Sequence, residues 1–114
     1  MNFYQYLKNG IFHFLFMSNS QEILDNISNQ PGILGTIIML TSSGVTVKTT
    51  LKDSEASQYS ALVADFLKKS YEATQSINPD DKVQCIRIRS FKNELFIFPD
   101  KVFTLVVIQD AMAA

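Results

Sequence analysis

The sequence has little of the material from which catalytic and metal sites are usually built. Its 114 residues include one cysteine, Cys85, and one histidine, His13. A lone cysteine cannot form an intramolecular disulfide, which favours a reducing compartment such as the cytoplasm. One histidine and one cysteine, without carboxylates at ligand spacing, give neither a zinc pattern nor a thiol–imidazole pair. We therefore expect a protein that is not an enzyme and needs no metal or cofactor.

Glycine and excess charge are also scarce. The four glycines, at positions 10, 32, 35 and 44, form neither of the phosphate-binding motifs GxxxxGK[ST] and GxGxxG. Ten Lys and Arg residues against eleven Asp and Glu residues leave a net charge of -1. No basic field is available to bind phosphates or an anionic membrane, so we expect neither nucleic acid nor a membrane as a partner.

The first seventeen residues differ from the rest of the chain. They are rich in aromatics, and Lys8 is their only charge. A membrane span needs about 20 apolar residues, which Asn9 and Gly10 interrupt. A secretory signal needs a basic start and an apolar core of about 7 to 15 residues, and the short run 11–17 contains His13. We expect an atypical extension over 1–17, one domain over 18–110 and a tail over 111–114.

The next part of the chain predicts a helix followed by two strands. Ser18 and Gln21 have the spacing of a capping box before an apolar helix face, and Pro31 with Gly32 ends that helix. The run Gly35 to Leu40 is typical of a buried strand, and residues 41–44 of a hairpin turn. Residues 45–50 alternate as in a second strand with one wet face.

The strongest helix lies between Ser54 and Ile77, with Ser54 as the expected cap. Two apolar stripes run along it. The first, which we expect to cover the sheet, contains Tyr59, Leu62, Val63, Phe66, Ser70 and Ile77. The second contains Ser60, Ala64, Leu67 and Tyr71. The second stripe exceeds what covering a small sheet requires, so it predicts a second packing partner.

Three further strands are predicted after the break at residues 78–81, over 83–89, 94–98 and 102–109. Their links are too short for crossover helices, which predicts an antiparallel meander. The last strand is almost continuously apolar, as expected of a central strand covered on both faces. The predicted fold class is therefore α/β (α+β), α-β-β-α-β-β-β, with helices flanking a five-stranded, mostly antiparallel sheet.

Arg87 and Arg89 alternate with Ile86 and Ile88, which puts two cations on one face of a strand. Such a pair can bind a carboxylate or phosphate, but it is more often the solvated face of an edge strand. Cys85 lies on the same face as Arg87, where a nearby cation could lower the pKa of its thiol. A pocket of Cys85, Arg87 and Arg89 is thus the only enzymatic alternative, and a simple buried cysteine is the commoner outcome.

Residues 58–109 resemble the roadblock family of dynein light chains. The resemblance is carried by Gln58-Tyr59, Asn78-Pro79, Arg87-Ile88-Arg89-Ser90, Asn93-Glu94 and Pro99-Asp100-Lys101. Upstream, residues 32–36 and 44–50 look like the family's first hairpin, so that the likeness covers about 18–110. The resemblance implies a non-catalytic protein that homodimerises through its long helix and an edge strand.

The resemblance also implies partners and a location. A dynein light chain binds the dynein intermediate chain, supports motor assembly and cargo attachment through cargo adaptors, and lies in the cytoplasm on the microtubule cytoskeleton or in axonemal dynein. The alternative is a roadblock-type regulator or scaffold of a small Ras-like GTPase, because related domains share the fold. The interface candidates are Ser60, Ala64, Leu67, Tyr71, Gln84, Cys85, Ile86, Arg87, Ile88 and Arg89.

Overall fold

A computed structural model describes residues 21, 22 and 24–113 of the chain. The first helix, α1, includes the described residues up to 28. The second helix, α2, spans Asp53–Ile77. The strands are β1 (Ile33–Leu40), β2 (Thr46–Thr49), β3 (Ile86–Arg89), β4 (Asn93–Pro99) and β5 (Phe103–Asp110), and a 3-10 turn follows at Ala111–Ala113. This order confirms the predicted α-β-β-α-β-β-β arrangement. The proposed boundary at residue 17 lies outside the described residues.

The five strands form one antiparallel sheet in the order β2-β1-β5-β4-β3. β5 occupies the centre because it pairs with both β1 and β4 along its length. Four consecutive residues of β5, from Leu105 to Ile108, are almost completely buried, as expected of a strand that is covered on both faces. The predicted meander and the central position of the last strand are both confirmed.

Helix α1 covers one face of the sheet, which we call the α1 face. Leu24 and Ile27 of this helix pack onto a cluster in which every member is almost completely buried. The sheet contributes Ile38, Phe96, Phe98, Leu105 and Val107 to this cluster. The rings of Phe96 and Phe98 lie nearly parallel, with centroids 6.4 Å apart. One side of α1 is therefore buried, as its periodicity predicts.

Helix α2 covers the opposite face, which we call the α2 face. Its buried residues are Ala56, Ser60, Val63 and Leu67, which recur at helical spacing. They pack with Ile37, Met39, Ile97, Val106 and Ile108 of the sheet. The sheet is thus the middle of three layers, and the two helices bury its two faces separately.

The assignment of the two stripes on α2 is wrong in part, although Val63 of the first stripe is buried against the sheet as expected. Ser60 and Leu67, expected to face a second partner, are buried under the subunit's own sheet. Leu62 and Phe66, expected to face the sheet, are 51% and 41% exposed. The physical reason is that Ser60 does not need to leave the core, because its hydroxyl lies 2.8 Å from the hydroxyl of Thr46 on β2. The surplus apolar surface exists, but on the other stripe.

The β1–β2 hairpin also departs from its simple alternating pattern. The register shifts between Ile38 and Met39, so that Met39 lies opposite Thr46 rather than Val47. Thr46 consequently faces α2, whereas Val45 and Val47 are more than half exposed. Gly44 closes the turn with a φ of +75°, a conformation that L side chains rarely adopt. The predicted turn and the second strand of the hairpin are confirmed.

The ends of two predicted elements shift as well. Helix α2 begins at Asp53, its cap residue is Lys52, and no side chain caps it, so the predicted cap at Ser54 is wrong. Asp53 and Glu55 lie in the first turn, where their negative charges favour the positive end of the helix dipole. The third strand begins at Ile86 rather than at Val83, and residues 80–85 form an irregular approach to it.

Candidate interaction surface

The sheet ends at two open strands, β2 and β3, each of which pairs on one side only. The β1–β2 pair contains the register shift, and such a bulge disrupts further pairing along an edge. By contrast, β3 pairs with β4 without interruption from Ile86 to Arg89. The β3 strand is therefore the more regular open edge, as expected for the strand that carries Arg87 and Arg89.

The two arginines of β3 share a buried carboxylate on the α1 face. Glu94 of β4 lies opposite Arg89, and its side chain is completely buried. Nε of Arg87 donates a hydrogen bond to Oε1 of Glu94, and Nη1 of Arg89 lies 3.9 Å from Oε2. The Arg87 guanidinium also lies over the Phe96 ring, 5.1 Å from its centroid. Both arginine side chains remain more than half exposed.

Arg89 connects this edge to the chain after β5. Nη2 of Arg89 donates to the carbonyl oxygen of Ala111 over 3.1 Å. The Ala111 amide in turn donates to the carbonyl oxygen of Lys92 over 3.0 Å. The β3–β4 hairpin is therefore bonded to the 3-10 turn from both sides of Ala111.

The exposed stripe of α2, which we define as Leu62 and Phe66, is flanked by half-buried Tyr59 and Ser70 on the same side of the helix. Two large apolar side chains one helical turn apart on the surface are typical of a packing face. A shallow groove of about 370 Å³ beside Leu62 is lined by Glu55, Gln58 and Tyr59. This stripe is an apolar surface in the middle of α2 that its own sheet does not cover, separate from exposed Ile77 at the end of the helix.

The structure divides the predicted interface residues into three groups. Ser60 and Leu67 are buried within the subunit and are removed as candidates, while Ala64 and Tyr71 are half-buried against the α2-face cluster. On β3, Ile86 and Ile88 are half-buried and the two arginines are exposed. Before β3, Gln84 is exposed and Cys85 is half-buried against the α1-face cluster. The sequence analysis missed Leu62 and Phe66 as surface residues, and it missed Glu94 as a buried charge.

The titration of Tyr71 departs clearly from the ordinary behaviour of a phenol. Burial, assisted by the negative charge of Asp100, raises the pKa of Tyr71 above its usual value of 10.0. The phenol of Tyr71 is therefore neutral throughout the physiological range and acts as a packing group, not as a base.

An open groove of about 720 Å³ lies between α2 and the approach to β3. It is lined by Thr74 and by the six consecutive residues from Asp80 to Cys85. Within the part of the chain that the structure describes, no three His, Cys, Asp or Glu side chains are grouped so that they could hold a metal ion. Across the same residues, no helix is both long and apolar enough to cross a membrane.

An antiparallel sheet of order β2-β1-β5-β4-β3, with one helix on each face, defines a class of small three-layer α/β domains. The family model of the Roadblock/LC7 domain matches residues 19–110, and the chain belongs to this family. The resemblance noted in the sequence is thereby confirmed.

Solved structures show the same fold at low sequence identity. A Roadblock/LC7 domain from Streptomyces avermitilis superimposes with a TM-score of 0.70 at 14% identity, covering 77% of this chain and 74% of that one. The gliding protein MglB from Thermus thermophilus gives 0.68 at 15% identity, covering 82% and 72%. MglC from Myxococcus xanthus gives 0.53 at 21% identity, covering 80% and 79%.

Proposed function

We propose that this protein is a non-catalytic dynein light chain that homodimerises and binds the dynein intermediate chain. The observation that carries the proposal is the pair of surfaces left open on a Roadblock/LC7 subunit: the exposed stripe of α2 and the free edge of β3. These belong to the two elements through which the resemblance to motor light chains implies pairing. In this role the protein acts in the cytoplasm on microtubules, in cytoplasmic or axonemal dynein, and helps to attach cargo adaptors.

Self-association is supported by the cost of leaving the stripe in water. Leu62 and Phe66 are about half exposed one helical turn apart, and the other large apolar side chain that α2 exposes is Ile77 at the end of the helix. In a two-fold dimer, the stripe of one subunit packs against the same stripe of the other. A single interface therefore covers both stripes. A structure of MglB with a tetrameric arrangement, at 15% identity, shows that this fold can assemble from several copies.

Pairing of β3 with the β3 strand of a second copy fixes the relative orientation of the two subunits in the proposed dimer. An open strand offers unpaired N–H and C=O groups, and a second β3 satisfies them by extending the sheet. Ile86 and Ile88 are half-buried on the α2 face. Such pairing would place these apolar side chains of both copies on the side of the extended sheet that carries the two α2 helices.

The rival function is regulation of a small Ras-like GTPase. The fold is compatible with both uses, and only the bound partner separates them. The gliding protein MglB and the protein MglC are among the similar structures, and at their identities they support the shared fold alone.

The experiment is calorimetric titration of an intermediate-chain segment into the wild-type protein and into the Phe66→Ala variant. We expect binding to the wild type and much weaker binding to the variant, because a segment that spans two subunits loses about half of its contacts when they separate. Val45→Ala serves as the control, since Val45 is similarly exposed directly before β2, the opposite edge strand. Binding of a Ras-like GTPase with no binding of the segment would establish the rival function instead.

A further inference from the structure

The tip of the β3–β4 hairpin is an exposed and rigid feature to which the proposed function assigns no role. Phe91 at this tip is 90% exposed, the largest value among the exposed large apolar side chains of the described residues. Lys92 beside it is exposed and forms no ion pair with another described residue. A large exposed aromatic side chain is a frequent anchor residue of a protein interface.

The hairpin holds this tip in one conformation. The Ser90 amide donates to the Asn93 carbonyl oxygen over 2.8 Å, and the Ser90 hydroxyl donates to the same oxygen over 3.0 Å. The Asn93 amide donates back to the Ser90 hydroxyl over 3.2 Å. Lys92 is fixed further by the hydrogen bond from Ala111 to its carbonyl oxygen. Little conformational entropy is lost when so rigid a tip binds, which favours a docking role.

The groove between α2 and the approach to β3 has the complementary properties. It offers Thr74, Val83 and Cys85 as walls for an aromatic ring. Asp80, Asp81 and Lys82 give it a net charge of one negative unit, and none of these three forms an ion pair with another described residue. Its charge is therefore opposite to that of Lys92.

Antiparallel pairing of two β3 strands brings the tip and the groove together. Within one subunit they lie at opposite ends of β3, because the groove residues precede the strand and the hairpin follows it. In an antiparallel pair each strand's end lies beside the other strand's beginning. If the two-fold axis passes at Arg87, Arg89 of one copy falls opposite Cys85 of the other. The hairpin tip that follows Arg89 then lies beside the groove residues that precede Cys85, and the contact occurs twice.

We propose that the β3–β4 hairpin of one copy docks into the groove formed by Thr74 and residues 80–85 of a second copy, with Phe91 in the groove and Lys92 toward Asp80 and Asp81. This inference rests on the proposed dimer and names the contacts at the two ends of its paired β3 strands. It gives the homodimer a charge-dependent selectivity, since a chain lacking either partner of the contact pairs less well.

The test uses the full chain and the dimer dissociation constant, measured by sedimentation equilibrium at low salt. We expect Phe91→Ala to weaken the dimer on the order of 100-fold, because the exposed ring loses its groove in both copies. Val47→Ala is the control, since Val47 is 51% exposed on β2, at the opposite edge of the sheet, and should have no effect.

A charge exchange tests the polar part of the contact. Lys92→Glu and Asp81→Lys should each weaken the dimer about tenfold, and the double variant K92E/D81K should recover most of the wild-type affinity. The single losses should shrink at high salt. Lys48→Glu, on the opposite edge strand β2, is the charge control and should leave the dimer unchanged.

The outcomes separate this inference from the proposed function. A wild-type protein that remains monomeric overturns both. A wild-type dimer that weakens with Phe66→Ala, but is unaffected by Phe91→Ala and by the charge variants, retains the proposed function and refutes the hairpin contact. Single charge losses without recovery in the double variant also refute it. Circular dichroism confirms that each variant folds, as expected for side chains exposed in the subunit.

Discussion

Phe66 offers the most direct perturbation of the proposed dimer. Its side chain is 41% exposed, so that it leaves on the order of 80 Å² of apolar surface in water. Covering that area in a two-fold interface stabilises the dimer by about 2 kcal/mol for each copy. Phe66→Ala keeps the first side-chain carbon, and we therefore expect a loss of about 3 kcal/mol for the pair, equivalent to an increase of about 100-fold in Kd.

The assay is sedimentation velocity over a concentration series, with denaturant unfolding of the same samples at high dilution. The dimer dissociation constant should rise while the stability of the separated subunit changes little, because the lost ring surface was exposed there. Val45→Ala should change neither quantity. Equal dimerisation of wild type and Phe66→Ala would refute the assignment of Leu62 and Phe66 to the interface. A large loss of subunit stability would show that Phe66 supports the core instead.

Three further predictions concern the subunit itself. Leu67→Asp should prevent folding, because it places a charge at a position only 3% exposed in the α2-face cluster. The cost is at least about 3 kcal/mol. Circular dichroism will show the loss of α2. Glu94→Gln should lower the free energy of unfolding by about 1 to 3 kcal/mol, because Arg87 and Arg89 lose their shared carboxylate. Asp65→Asn, at an exposed carboxylate, should leave that free energy unchanged. Urea titrations measure both. The raised pKa of Tyr71 means that the unfolded chain loses the phenol proton more readily than the folded one, so the free energy of unfolding should fall as the pH rises above the ordinary pKa of 10.0. Tyr71→Phe should reduce that fall in thermal melts from about pH 8 to 11.

The order of elements was predictable because the periodicities are strong. The continuous apolar run of β5 predicts its central place in the sheet, and Pro79 after Ile77 predicts the end of α2. The fold class follows from the short links between the last three strands. Each of these signals depends on residues that are near one another in the chain.

The side of α2 that meets the sheet was not predictable in the same way. The two stripes are neighbours on the helix, and the sequence marks both as apolar. The choice between them depends on Thr46, whose hydroxyl is brought to Ser60 by a register shift in the β1–β2 pair. A contact between a bulged strand and a helix is not encoded in either pattern alone.

The buried charge at Glu94 was hidden for a similar reason. In sequence it is a polar residue at the start of a strand beside a turn, where exposure is the ordinary expectation. Burial becomes tolerable only because Arg87 and Arg89 are opposite it on β3 and share its carboxylate. The alternation of the two arginines predicts their common face, but it does not indicate which residue lies between them.

The central claim is that two copies of this chain form the unit that binds a partner. The most direct test is the native mass of the wild-type protein at micromolar concentration, alone and with an intermediate-chain segment. The account predicts the mass of two chains for the free protein, and of two chains with bound segment for the complex. A single-chain mass in both samples would contradict it.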